Sequence, residues 1–277
     1  MRAKRKEQEL PPICGKTLHD VPIPVVDILR DNQFGADILS RYYDRVITDY
    51  DDNPNLRIFV TGDGVVCGSN PFACVLIDSI VRPQFRLATP VDLQAIADSQ
   101  GKVADPLSLR GFYKDVALAL RSVNEPNGYQ AERLSAQVGL KMELPVLIWL
   151  SGLELVRDTR SPCQLSFKVT KETHYYTAPI LKEPSGHFSD NMVDRKTGFP
   201  TAIRGEGRYF YSTDEGLCRV YVGRGGSIDT IWDELSNSQP DGRIVLVDNR
   251  APSHKLPQFL AHLDEAQKYL EEDEDIY

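Results

Sequence analysis

The chain has 277 residues, 41% hydrophobic and 26% charged, a balance that supports a folded core and excludes global disorder. Its formal net charge of −8 sits mostly at the ends, with +2 over residues 1–10, −6 over residues 264–277 and −4 over the remainder. The five cysteines, Cys14, Cys67, Cys74, Cys163 and Cys218, are odd in number and scattered, with no CxxC pair, which argues against a disulfide framework or a zinc site and for reduced thiols in the cytoplasm.

Residues 1–24 read as an arm. Its charged start, MRAKRKEQELPP, is followed by no apolar h-region, so a secretory signal is not expected, and its prolines disfavour long helices. From Val25 to Tyr50 apolar residues recur at helical spacing, with a break at Asn32 to Gly35 and a second helix from about Ala36. LRIFV (56–60) reads as a strand, and Asp63-Gly64 is a preferred hairpin pair joining it to VVCG. The glycines of 61–71 match neither a P-loop nor GxGxxG. FACVLIDSIV (72–81) is a buried strand or short helix by content. In TPVDLQAIADSQ, Thr89 is placed as an N-cap with Pro90 and Asp92 in the first turn.

Within 108–123, Leu109, Phe112, Tyr113, Val116, Leu120 and Val123 make one stripe, which predicts an amphipathic helix with Arg110, Lys114 and Arg121 on its solvated side. A further helix is predicted over 129–138, stopped by Gly139. LPVLIWLSGLELV (144–156) is the most apolar stretch of the chain. Its run of seven, 144–150, is far shorter than the roughly 20 residues needed to cross a bilayer, so it reads as a buried strand of a protein without a membrane span. In 161–181 Leu165, Phe167 and Val169 alternate with Ser166, Lys168 and Thr170, the period of a half-buried strand. Residues 182–208 read as a long loop.

The most informative segment is 217–249. LCRVYV and RIVLVD have strand content, and Ile228, Ile231, Trp232 and Leu235 fall at helical spacing, so the segment predicts a βαβ-like unit with GRGGS at the helix start. Free first-turn amides and the helix dipole would favour an anion there, which makes Arg224, Gly225, Gly226 and Ser227 the candidate phosphate site against the alternative of a tight turn that needs glycine. A second cluster, Arg204, Arg208, Tyr209, Tyr211, Arg219 and Tyr221, interleaves arginines with aromatics as a surface for nucleic acid would, against the alternative of an ordinary strand with amphipathic neighbours. His174 and His187 lack partners at metal-ligand spacing, and no GxSxG, HExxH or SxxK motif occurs, so neither a metal nor a cofactor is expected.

The expected fold is α+β: a helix-rich half (25–139) packed on a β-rich half (140–255), then a C-terminal helix with an acidic tail (256–277). The expected function is a non-enzymatic intracellular binding or assembly protein, acting on a protein partner or on itself, with nucleic acid as a candidate ligand at 204–226. The alternative is an enzyme handling a phosphorylated small molecule or nucleotide at GRGGS.

Overall fold

The computed structural model describes residues 33–60, 66–67, 70–98, 113–138, 144–213, 215–231, 234–238, 242 and 244–248. The expected arm, the first helical segment before residue 33, the Asp63-Gly64 turn, Arg110 and the C-terminal helix with its acidic tail lie outside them.

The protein mixes α and β structure. Four helices, α1 (Gln33–Tyr50), α2 (Pro71–Val81), α3 (Pro90–Asp98) and α4 (Gly128–Gln137), accompany thirteen strands among the described residues. These are β1 (Phe59–Val60), β2 (Val66–Cys67), β3 (Phe85–Leu87), β4 (Lys114–Leu120), β5 (Val146–Trp149), β6 (Leu153–Arg157), β7 (Leu165–Val169), β8 (Tyr175–Thr177), β9 (Gly186–Phe188), β10 (Arg208–Tyr211), β11 (Leu217–Val222), β12 (Ile228–Asp229) and β13 (Leu246–Asp248). Seven of them form one sheet in the order β8-β5-β4-β11-β12-β10-β9, antiparallel except for the β12–β10 pair, and three two-stranded pairs, β1–β2, β3–β13 and β6–β7, flank it. The sheet takes strands from both sides of residue 140.

Period-two alternation divides the interior into two cores. Leu118 and Leu120 of β4 and Val146 and Ile148 of β5 face the core lined by α1, α2, α4, β6 and β7, where the Phe72 and Phe167 rings stack at 4.8 Å. Ala117 and Ala119, with Leu147 and Trp149, face the other core, which also holds Phe188, Phe199, Phe210, Val220 and Val222. Residues 114–120 are a strand buried on both sides, which carries no polar face, and not the amphipathic helix that the apolar spacing predicts. Lys114 and Arg121, placed by that helix on a solvated side, are both buried. Burial lowers the Lys114 ammonium to a pKa of about 8. Arg121 donates to Leu181 O at 3.0 Å, to Thr230 O at 3.2 Å and to the hydroxyls of Thr230 and Ser212, so it fastens β4 to two loops.

Local signals hold where they are local. Asn70 caps α2 by accepting from Ala73 N at 2.9 Å, and Pro71 opens the helix. Thr89 and Asp92 cap α3 reciprocally: Asp92 Oδ2 accepts from Thr89 N at 2.8 Å, and Thr89 Oγ1 accepts from Asp92 N at 3.3 Å. The segment 182–208 carries β9 and a short turn of 3-10 helix at Asp190–Met192, so it is more structured than the expected loop.

Among the described residues Trp149 Nε1 and Tyr176 OH, buried donors whose rings lie 5.4 Å apart on β5 and β8, meet no hydrogen-bond partner. Burial pushes the Tyr176 phenol well above its usual range. An unsatisfied buried hydroxyl costs about 1–3 kcal/mol, so Tyr176→Phe is expected to leave the urea midpoint unchanged or to raise it. A clear fall in the midpoint would show that the hydroxyl has a partner.

Candidate binding face

The strand RYFY sorts the expected cluster into two sides. In β10, Arg208 and Phe210 point into the second core, and Tyr209 and Tyr211 point to the opposite face. Antiparallel pairing sets His187 of β9 beside Tyr209, with ring centroids 4.8 Å apart, and Tyr209 lies 4.4 Å from Tyr211. Parallel pairing then sets Asp229 of β12 beside Tyr211, and antiparallel pairing sets Tyr221 of β11 beside Asp229. The Tyr221 phenol donates to Asp229 Oδ2 at 2.9 Å, and Tyr113 packs edge-on against the Tyr221 ring at 4.9 Å. The result is a belt of four tyrosines and one histidine across four strands, with a carboxylate in its middle.

The belt is closed at one end and open at the other. Tyr221 and Asp229 are buried, whereas His187 is exposed, Tyr211 is 41% exposed and the neighbouring Ile231 is 43% exposed. Burial and the Asp229 charge push the Tyr221 phenol well above its usual value, which fixes it as a proton donor to that carboxylate. Asp229 Oδ1 accepts from Ile231 N at 3.0 Å, so the same carboxylate sets the turn that carries the exposed isoleucine.

Two of the three described arginines of the expected cluster are buried. Arg219 is fully buried, and its Nε and Nη2 reach Asp115 Oδ1 and Oδ2 at 2.8 and 2.6 Å. A shift of register between Val220 and Tyr221 brings Asp115 into line with Tyr221 and within reach of Arg219. Arg219 Nη1 also donates to Asn237 O at 2.5 Å, so the pair ties 234–238 down. Arg208 is buried on the other face, where Nε donates to Gly226 O at 2.6 Å, Nη1 bonds Gln94 and Asp190, and the guanidinium lies 4.8 Å from the centre of the Phe188 ring. Arg204 is exposed on the loop between β9 and β10. The structure therefore brings Tyr209, Tyr211 and Tyr221 together and turns Arg208 to the opposite face, while Arg219 lies buried beside Tyr221, 5.9 Å from the centre of its ring, with its guanidinium held by Asp115.

The GRGGS segment is a hairpin loop. β11 and β12 pair antiparallel through Val222 and Ile228, Gly223 N donates to Ser227 O at 2.8 Å, and Gly225 and Gly226 have φ of 67° and 78°. A Cβ on Gly226 would stand 3.0 Å from Arg208 Nε, so glycine serves both the turn and the close approach of that arginine. The helix expected over 227–235 is absent at its start, where Ile228 and Asp229 are strand, and with it goes the helix dipole that would have favoured an anion at Gly225, Gly226 and Ser227. Tertiary pairing overrides the helical spacing of Ile228 and Ile231. Of Arg224 only the backbone, in the 3-10 turn, is described.

Sequence reasoning missed Tyr113, His187, Asp229 and Ile231 as members of this face. The alternation in RYFY was the available signal: one strand cannot turn Arg208 and Tyr209 to the same side. Among the described residues no group of three or more His, Cys, Asp and Glu is arranged to hold a metal ion, and no helix is long and apolar enough to cross a membrane. Comparison with known protein families, with curated proteins and with solved structures found no match to this chain.

Proposed function

We propose that the chain is a binding or assembly protein that uses the open end of the tyrosine belt, His187, Tyr209, Tyr211 and Ile231, as a protein-contact surface. The observation that carries this reading is the exposure of Tyr211 and Ile231 beside Tyr209, whose ring packs against Tyr211 at 4.4 Å, since tyrosines anchored in a sheet are enriched at protein interfaces. The burial of Arg208 and Arg219, whose guanidinium groups are bonded to Gly226 O and to Asp115, supports protein over nucleic acid, because phosphate contacts need accessible cations.

A sedimentation series over protein concentration tests it. Wild type is expected to associate with itself, and a Tyr211→Ser/Ile231→Ser variant is expected to weaken that association at least about thirtyfold, the effect of losing a central anchor, at unchanged Tm. Fluorescence anisotropy with a labelled single-stranded 20-mer is the competing arm. Binding of the oligonucleotide that falls steeply with salt and is lost in the same variant would give the face to nucleic acid. Absence of both kinds of binding would sink the reading.

A further inference from the structure

A cleft of about 360 Å³ lies away from the belt, between the C-terminal half of α1, the end of α2 and the β6–β7 pair. It is lined by Arg45 and Tyr50, by Ser79 and Arg82, and by the turn after β7 that carries Lys171 and Glu172. Its size falls at the small end of pockets that take metabolites, roughly 300–1,000 Å³, and is too small for a macromolecular segment of any length.

The charges on its walls are unequally committed. Arg82 donates to Asp78 and, at 2.6 Å, to Glu172, and Glu154 is held by Lys168 at 2.8 Å. Arg45 spends its Nε on Asp49, and its terminal nitrogens meet no carboxylate among the described residues. The Arg45 guanidinium lies close enough to Tyr50 to act on its phenol, which places it at the cleft wall. Lys171 makes no ion pair or hydrogen bond among the described residues. The walls thus offer the part of the Arg45 guanidinium not engaged by Asp49 and Tyr50, and the Lys171 ammonium, two cations that can hold a phosphate by hydrogen bonds and as a point charge. Acceptors lie between them. Ser79 spends its proton on Leu76 O at 2.7 Å, and Glu154 and Glu172 each have an oxygen outside their ion pairs. Such groups suit ligand hydroxyls.

We propose that this cleft binds a small phosphorylated polyol or sugar, its phosphate held by Arg45 and Lys171 and its hydroxyls donated to Ser79, Glu154 and Glu172. The site is independent of the tyrosine belt. Isothermal titration of the full chain with glucose 6-phosphate, ribose 5-phosphate, glycerol 3-phosphate, inorganic phosphate and glucose tests it. At least one phosphorylated compound is expected to bind more tightly than inorganic phosphate, and glucose to give no heat. Arg45→Gln and Lys171→Gln, both at exposed side chains, are expected to keep the wild-type Tm and each to weaken that binding about ten- to a hundredfold. The Tyr211→Ser/Ile231→Ser variant should bind as wild type does, which separates this site from the belt. No binding by any of the three phosphorylated compounds, binding no tighter than inorganic phosphate, or affinity unchanged in the Arg45→Gln/Lys171→Gln double variant would each overturn the assignment.

Discussion

Asp115→Ala is expected to destabilise the protein by about 3–5 kcal/mol, because it leaves the Arg219 guanidinium buried without its counter-ion. For a chain of this size that is a fall in Tm on the order of 10 °C. The attraction between the two charges is not the main quantity. Arg219 loses both of its carboxylate bonds, at 2.8 and 2.6 Å, and remains enclosed under α2, where Cys74 lies close enough for the Asp115 charge to help burial push its thiol upward. The Asn237 carbonyl still accepts from Nη1, but a carbonyl dipole does not replace a charge. The double change Asp115→Leu/Arg219→Met should recover most of the loss, since a buried pair replaced by apolar groups of similar volume is often neutral. Urea unfolding of the three proteins checks this, and a double variant no more stable than Asp115→Ala would show that the arginine is needed for its bond to 234–238 and not for its charge.

Asp158→Ala should cost about 2–4 kcal/mol and also flatten the response to acid. Burial works against the Asp158 carboxylate, but Tyr129 and Ser166 donate to Oδ2 at 2.8 Å, Arg160 N donates to Oδ1 at 3.2 Å and the Arg133 charge stands nearby, so its pKa falls from 3.8 to about 2. The folded value lies below the unfolded one, so the unfolded chain takes up this proton first as pH falls. The stabilisation is complete above about pH 4 and is lost as pH falls towards about 2. Wild type is therefore expected to lose more stability than Asp158→Asn between pH 5 and about 2, with the curves parallel at higher pH. Parallel curves over the whole range would assign the acid response to other carboxylates.

Much of the fold could be read where one signal acts alone. The Thr89–Asp92 cap of α3 and the apolar run of β5 are local statements, and the structure keeps them, whereas in β7 Leu165 and Phe167 enter the core as expected but Ser166 between them is buried too. β4 was illegible for a physical reason. Its residues are buried on both sides, so the alternation that marks a strand is missing, and the spacing of Tyr113, Val116 and Leu120 fits a helix equally well. β12 was hidden because two residues, Ile228 and Asp229, carry no pattern by themselves and are placed by partners on β10 and β11. The site was half legible. Tyr209, Tyr211 and Tyr221 were found by composition, but which arginines share their face is decided by strand parity and by the register shift that hands Asp115 to Arg219.

β4 and β5 belong to two interiors at once, and this couples the two cores. Lifting β4 away from one core moves Leu118 and Leu120 out of it and takes Ala117 and Ala119 out of the other. Tyr209 and Tyr211 stand towards the far end of the same sheet, on a strand whose opposite face is already fixed by Phe210 and the neighbouring Phe188. A partner that docks there meets a surface whose ordering entropy was spent when the chain folded, and little of the binding free energy is lost to stiffening it.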